Sequence, residues 1–276
     1  MLAAGVDGCR AGWICVTREL GSKDVASACF ESARVLFSQR PSPNLIAIDI
    51  PIGLTNCAAR DCDRAARQLL GRLRSSSVFP APIRAVLAAR SWEEACDIRS
   101  RVEGKRMSKQ AWGIVGKVGE IDEELRDRPR LRERVREVHP EVSFQAWNGA
   151  AMRFRKKLRR GRNERRRMVD QYFGPAAYEV VRDRFRVKDV GHDDILDAFA
   201  ALWSAERILR GLGKTLPERP PIDPCGLPME IVYSECTELG GLAPSASRDE
   251  FLDFRFLFAY HDFRDLILTP WSRLRS

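Results

Sequence analysis

Residues 45–50, LIAIDI, form an apolar run closed by Pro51 and Gly53, broken only by one carboxylate, Asp49. A run that does not alternate polar and apolar side chains has no face to turn to water, so it reads as a strand buried on both faces of a sheet. A sheet covered on both sides needs helices to cover it, which predicts an α/β fold with a mixed central sheet flanked by helices. Asp49 is then out of place by ordinary solvation rules. A carboxylate ending a buried strand is costly unless something positive compensates it, and a bound divalent cation is the usual compensator.

Two other segments repeat this pattern. Asp7 lies in LAAGVDGCRAGW, and Asp193, Asp194 and Asp197 lie in GHDDILDAFAALWSA. On a helix Asp193 and Asp197 are i, i+4 while Asp194 and Asp197 are i, i+3, so these carboxylates share a face. Local roles exist for four of the five acids. Asp193 can cap its helix, Asp194 can complement the helix dipole, Asp7 can bond its own Gly-rich turn, and Asp49 can open the turn before Pro51. Asp197 has no such role, being set among Ile195, Leu196, Ala198, Phe199 and Ala200. Taken together, the acids predict one site.

Residues 2–7 and 12–18 read as a hairpin around Gly8 and Gly12, with a third strand near Ala33–Phe37. From about 57 to 132 the pattern turns helical and polar, interrupted by the loop SSSVFPAP at 75–82. Arg134–Val138 reads as a further strand stopped by Pro140, helices are expected at about 164–183 and 193–210, and 217–228 is a Pro-rich loop. Asp7 and Asp49 fall at strand ends in the middle of the sheet, where open α/β sheets bind their ligands.

Length and composition fit one large domain, or one domain with an appendage: 276 residues, 44% of them hydrophobic. Eight cysteines show no C-x2-C spacing, which argues against a zinc site and for reduced thiols in a cytoplasmic protein. No apolar run is long enough to span a bilayer, and the first residues enter a strand pattern without the basic lead and apolar core of a signal peptide.

The net charge of +9 is concentrated in one place. Met152–Arg167 holds ten Lys/Arg and one Glu, an excess that equals that of the entire chain. Such a stripe either attracts a polyanion or forms a solvated helix face. Read as a nucleic-acid contact, it offers Lys156, Lys157, Arg159, Arg160, Arg165, Arg166 and Arg167. Arg60, Arg64 and Arg67 share one helix face and extend that set, and Arg74 with Ser75, Ser76 and Ser77 forms a candidate phosphate grip.

Further candidates come from VREVHPEVSF, where Glu141 follows a strand end within reach of a metal shell and His139 is placed to bind phosphate or move a proton. Lys117 and Glu120, three apart in KVGEIDEEL, predict an exposed pair, with Glu120 as a candidate outer metal ligand.

The segments GVDGCRAGW, AIDIPIGL, the R-x-C-D-x-x-A-R run at 60–67, SSVFPAP, VREVHPEVSF and DDILDAFAALW occur in an order that resembles the family known as domain of unknown function 429. The resemblance runs from about residue 5 to PMEIVY at 228–233. Members of that uncharacterised family are described as predicted nucleases of RNase H-like fold. The resemblance implies an RNase H-like domain over 1–234, with a helical insertion at about 55–133 after the fourth strand, and a C-terminal extension over 235–276. It also implies a two-metal site. Asp7 takes the first-strand position, Asp49 the fourth-strand position, and Asp194 with Asp197 the late-helix positions, Asp193 being a substitute for Asp194. Two Mg2+ or Mn2+ ions, roughly 3.5–4 Å apart, then serve phosphodiester hydrolysis.

The implied partner is DNA or RNA. Two other classes share such a fold: a phosphoryl transferase or ATPase, and a binding protein that has lost catalysis. No P-loop is present. The aromatic tail, FLDFRFLFAYHDFRDLIL at 251–268, is expected to pack on the body or to form a homodimer contact.

Overall fold

The computed structural model describes residues 1–235. The chain runs β1 (Leu2–Cys9), β2 (Gly12–Glu19), β3 (Ala26–Phe30), α1 (Ala33–Phe37), β4 (Leu45–Ile48), α2 (Asp61–Arg74) and α3 (Trp92–Glu103). It continues through α4 (Lys109–Trp112), α5 (Val115–Asp127), α6 (Pro129–Arg132), β5 (Val135–Glu137), α7 (Pro140–Asn148), α8 (Arg159–Phe173) and α9 (Ala177–Arg182). Last come α10 (His192–Leu209), β6 (Lys214–Leu216) and β7 (Ile231–Tyr233).

Five strands form one mixed sheet in the order β3-β2-β1-β4-β5. The hairpin β1–β2 and the β2–β3 pair are antiparallel, while β4 runs parallel to β1 on one side and to β5 on the other. The apolar run at 45–48 behaves as its composition requires: Leu45 and Ala47 enter one core and Ile46 and Ile48 the other. On one face α7, α8, α9 and α10 cover the sheet, and on the other α1, α5 and α6 do so. β6 and β7 make a separate antiparallel pair flanking the Pro-rich 217–228 stretch.

One glycine sets how closely α10 approaches the sheet. A Cβ on Gly5 would lie 2.1 Å from both the Ala198 carbonyl oxygen and the Leu202 amide nitrogen. Only the absence of a side chain lets α10 rest directly on β1. That contact brings Asp197, one residue before Ala198, over the strand carrying Asp7.

Three expectations are corrected. Ala33–Phe37 is a helix, not a strand: Ser32 Oγ accepts the Val35 amide at 3.4 Å as its N-cap, and Ala33, Leu36 and Phe37 are buried. The third strand is Ala26–Phe30 instead. The helix expected at 164–183 starts earlier, at Arg159, and Gly174-Pro175 divides it into α8 and α9. The basic segment is therefore part loop, 152–158, and part helix. The tail from 236 onward, with its expected dimer contact, lies outside the described residues. Among the described residues no helix is long and apolar enough to cross a membrane.

Candidate active site

Parallel pairing of β1 with β4 aligns Val6 with Ile48, so Asp7 and Asp49 leave adjacent strands at the same level. The Asp49 amide donates to the Val6 carbonyl at 3.0 Å and fixes that alignment. Asp7 is buried and its Oδ1 accepts the Gly8 amide at 2.7 Å. α10 arrives over these strand ends with Asp193, Asp194 and Asp197 in its first two turns. Asp194 reaches back to the Gly191 amide at 2.8 Å, which is the local capping role, while Asp193 Oδ1 is buried without a partner. Asp197 is 3% exposed, and its Oδ2 accepts the Lys156 ammonium at 2.5 Å.

Asp7, Asp49, Asp193 and Asp194 line a cleft of about 640 Å³. Its other walls carry Lys117, Arg155, Lys156, Lys157, the Ser76–Phe79 loop and the His139–Glu141 turn. Like charges in one place raise carboxyl pKa values. Burial, then the charges of Asp49, Asp197 and Asp194, hold the Asp7 carboxyl well above its ordinary range. Burial and Asp197 push Asp49 up to about 7. Asp193 and Asp194 are raised too, first by burial. Lys156 is held above the usual ammonium value, chiefly by Asp197 and then, against its own burial, by Asp49 and Asp7.

A pH dependence follows from these directions. Between the ordinary 3.8 and about 7, folded Asp49 is protonated while the unfolded group is ionised, so the folded state binds more protons. Stability of the metal-free protein therefore falls as pH rises across that window, and Asp7 acts in the same direction. Urea midpoints in EDTA are expected to be higher at pH 5.5 than at pH 8, with the difference reduced in Asp49→Asn. A wild-type midpoint that rises between those two pH values, by the same amount in both proteins, contradicts the placement of these acids.

The donor set suits a hard divalent cation. Carboxylate oxygens match Mg2+ or Mn2+ in chemistry, and no thiol or imidazole competes among the five acids. As they stand, however, no group of three or more His, Cys, Asp or Glu side chains among the described residues is arranged to hold a metal ion. The cation seated at Asp197 is the Lys156 ammonium.

Other candidates from the sequence have different places. Glu120 is a structural acceptor, its Oε2 taking Trp13 Nε1–H at 3.0 Å and the Ala33 amide at 2.9 Å, on the face covered by α5. It does not join the acids. Nor does it form an exposed pair with Lys117, whose ammonium donates to the Gly12 carbonyl at 2.6 Å over the Trp13 ring. Glu141 is buried between Arg165, at 2.8 and 3.0 Å, and Arg74, at 3.2 Å, so its charge is already matched. His139 sits in the cleft wall with Nε2 3.3 Å from the Ser77 carbonyl and Nδ1 buried without a partner. Burial, aided by Lys156, lowers its pKa and keeps the ring neutral.

The arginines divide sharply. Arg60 is 2% exposed and clamps Glu137 at 2.7 Å and Asp63 at 2.6 Å, so it is no surface cation. Arg165 is fully buried on Glu141, which removes it from a phosphate-facing set, whereas Arg74, 7% exposed, lines the cleft while donating twice to the Met152 carbonyl. Arg67 donates twice to the Val78 carbonyl, Arg64 pairs with Asp61, and Arg166 pairs with Asp170 and Glu179. Lys157, Arg159, Arg160 and Arg167 remain exposed. Sequence reasoning missed Arg155, Lys117 and Phe79 as cleft residues; Phe79, 46% exposed in a Pro-flanked loop, was the one with a visible signal.

A family model described as a protein of unknown function, DUF429, matches residues 5–222. The chain belongs to this family. The match runs from within β1 into the Pro-rich stretch after β6, and so includes all five clustered acids. No curated protein and no solved structure matches the chain.

Proposed function

We propose that this member of the family is a divalent-metal-dependent nuclease with an RNase H-like fold, in which the helices between β4 and β5 are an insertion. One observation carries the reading: Asp7, Asp49 and, from α10, Asp193 and Asp194 line one cleft also edged by exposed cations, with Asp197 buried beside them on Lys156. A carboxylate set alone suits a cation and a basic rim alone suits a polyanion; together they suit a phosphodiester held at a metal site. The sheet order, with parallel β1, β4 and β5 and an antiparallel hairpin edge, supports the fold assignment.

Asp7, Asp49 and Asp197 would hold the cation, with Asp193 and Asp194 beside them. When bound, Mg2+ or Mn2+ supplies Lewis-acid activation of water and neutralises phosphoryl charge. The protein's own groups do the rest. Arg155 and Lys157 line the approach, Arg159, Arg160 and Arg167 extend the positive surface along α8, and these charges position a backbone without reading bases. Free thiols at all seven cysteines described are in keeping with a cytoplasmic enzyme.

The test is a panel of labelled DNA and RNA, single-stranded, duplex, hybrid and branched, incubated with the purified full chain. Cleavage of at least one substrate is expected with Mg2+ or Mn2+ and none with EDTA. Every substrate intact under both ions overturns the reading.

A further inference from the structure

We propose that Lys156 is the built-in cation of the carboxylate cluster, its ammonium taking the place of one of the two divalent ions that such an acid set would otherwise bind. This deepens the proposed metal site and rests on the reading of the acids as a cation site. Lys156 Nζ lies 2.5 Å from Asp197 Oδ2, and among the described residues Asp197 has no other side-chain partner. Asp197 is also the acid without a local structural role, inside the apolar stretch of α10. The ammonium thus neutralises a carboxylate that is 3% exposed.

The loop that carries Lys156 is clamped along its backbone, and within it Lys156 is the half-buried cation between the exposed Arg155 and Lys157. Ahead of it, Glu164 accepts the Arg153 and Phe154 amides at 2.8 and 3.0 Å, and Arg74 donates twice to the Met152 carbonyl. Arg165, itself pinned to Glu141, donates to the Phe154 carbonyl at 3.1 Å. After it, α8 crosses so closely that a Cβ on Gly161 would lie 2.0 Å from the Arg155 carbonyl oxygen. Three charged residues, Glu164 and Arg165 of α8 and Arg74 of α2, therefore spend hydrogen bonds on presenting one short loop. A lysine serving only as a solvated contact for a passing polyanion needs no such frame.

A fixed ammonium beside a single divalent ion supplies positive charge on two sides of a phosphoryl group. It also removes the need for a second ion to be captured from solution. The prediction is a count. Full-length protein is titrated with Mn2+ while free Mn2+ is followed by its electron paramagnetic resonance signal. Wild type is expected to bind one ion, Lys156→Met two, and Lys156→Arg, which keeps the charge, one. Lys156→Gln removes the charge but keeps a donor toward Asp197, and it replaces the Met variant if that protein does not fold.

Each outcome decides something. One ion in wild type and two in the neutral variant support both the metal site and the lysine's place in it. None in wild type and one in the variant supports the lysine as resident cation but overturns the metal-dependent enzyme. Equal, non-zero counts overturn the lysine's role and leave the metal site standing. No ion in either protein overturns both.

Discussion

Replacing Arg60 by Met is expected to destabilise the folded chain by about 3–5 kcal/mol, lowering Tm by roughly 6–20 °C. The guanidinium is fully enclosed and holds together three pieces of the cleft wall. Its Nη1 and Nη2 bond both oxygens of Glu137 at the end of β5, at 2.7 Å each, and Nη2 bonds Asp63 on α2. Nη1 also donates to the Ile52 carbonyl at 3.0 Å, while Glu137 accepts the Ile52 amide at 2.6 Å. The loop leaving Asp49 is tied down at both its donor and its acceptor.

Removing the arginine strands two buried carboxylates, and that uncompensated charge is the larger part of the cost. Adding Glu137→Gln and Asp63→Asn to Arg60→Met should therefore recover much of the loss. The helix-face reading of Arg60, Arg64 and Arg67 as a nucleic-acid contact makes the opposite forecast. An Arg60→Met protein within about 1 kcal/mol of wild type, but with weakened nucleic-acid binding, would restore that reading.

Asp7→Asn is expected to lose cleavage down to the level of EDTA-treated wild type while leaving the metal-free protein at least as stable. Asparagine keeps the acceptor that Gly8 uses at 2.7 Å and removes one of the mutually repelling charges. Burial and the charges of Asp49, Asp197 and Asp194 already hold Asp7 toward its neutral form, so the substitution costs little there. Mn2+ should behave in the other direction. At a hundredfold excess over its Kd, one bound ion adds about 2.7 kcal/mol to wild-type stability, and that gain should shrink in Asp7→Asn. A purely structural turn acid would instead cost about 0.5–2 kcal/mol on removal and leave the response to Mn2+ untouched.

The site acids were legible because each breaks a hydrophobic pattern. Asp49 ends an apolar run and Asp197 interrupts one, and Asp197 has no neighbour in sequence that needs it. Their strands were legible for the same reason, since β1 and β4 are buried on both faces and so carry little polar noise. Ala33–Phe37 was not: five residues are too few to separate strand from helix by period, and the Ser32 cap that decides the matter is a geometric fact.

The arginines failed for a different reason. Periodicity places Arg60 or Arg165 on a helix face but cannot say that the face meets a buried glutamate. Glu137 and Glu141 come from β5 and α7, 77 residues from Arg60 and 24 before Arg165. A charge run likewise hides its members' roles. Lys156 turns in to Asp197 while Lys157, next to it, is exposed, and only the folded contact with α10, 41 residues on, separates the two.

The most direct measurement is anomalous diffraction from a crystal of the full-length protein soaked in Mn2+. An anomalous peak within bonding distance of Asp7, Asp49 and an acid of α10 is the expected result, with that peak absent in Asp7→Asn crystals treated identically. Acids that remain without an ion at saturating Mn2+, in a cleft open to solvent, would contradict the metal site and with it the nuclease.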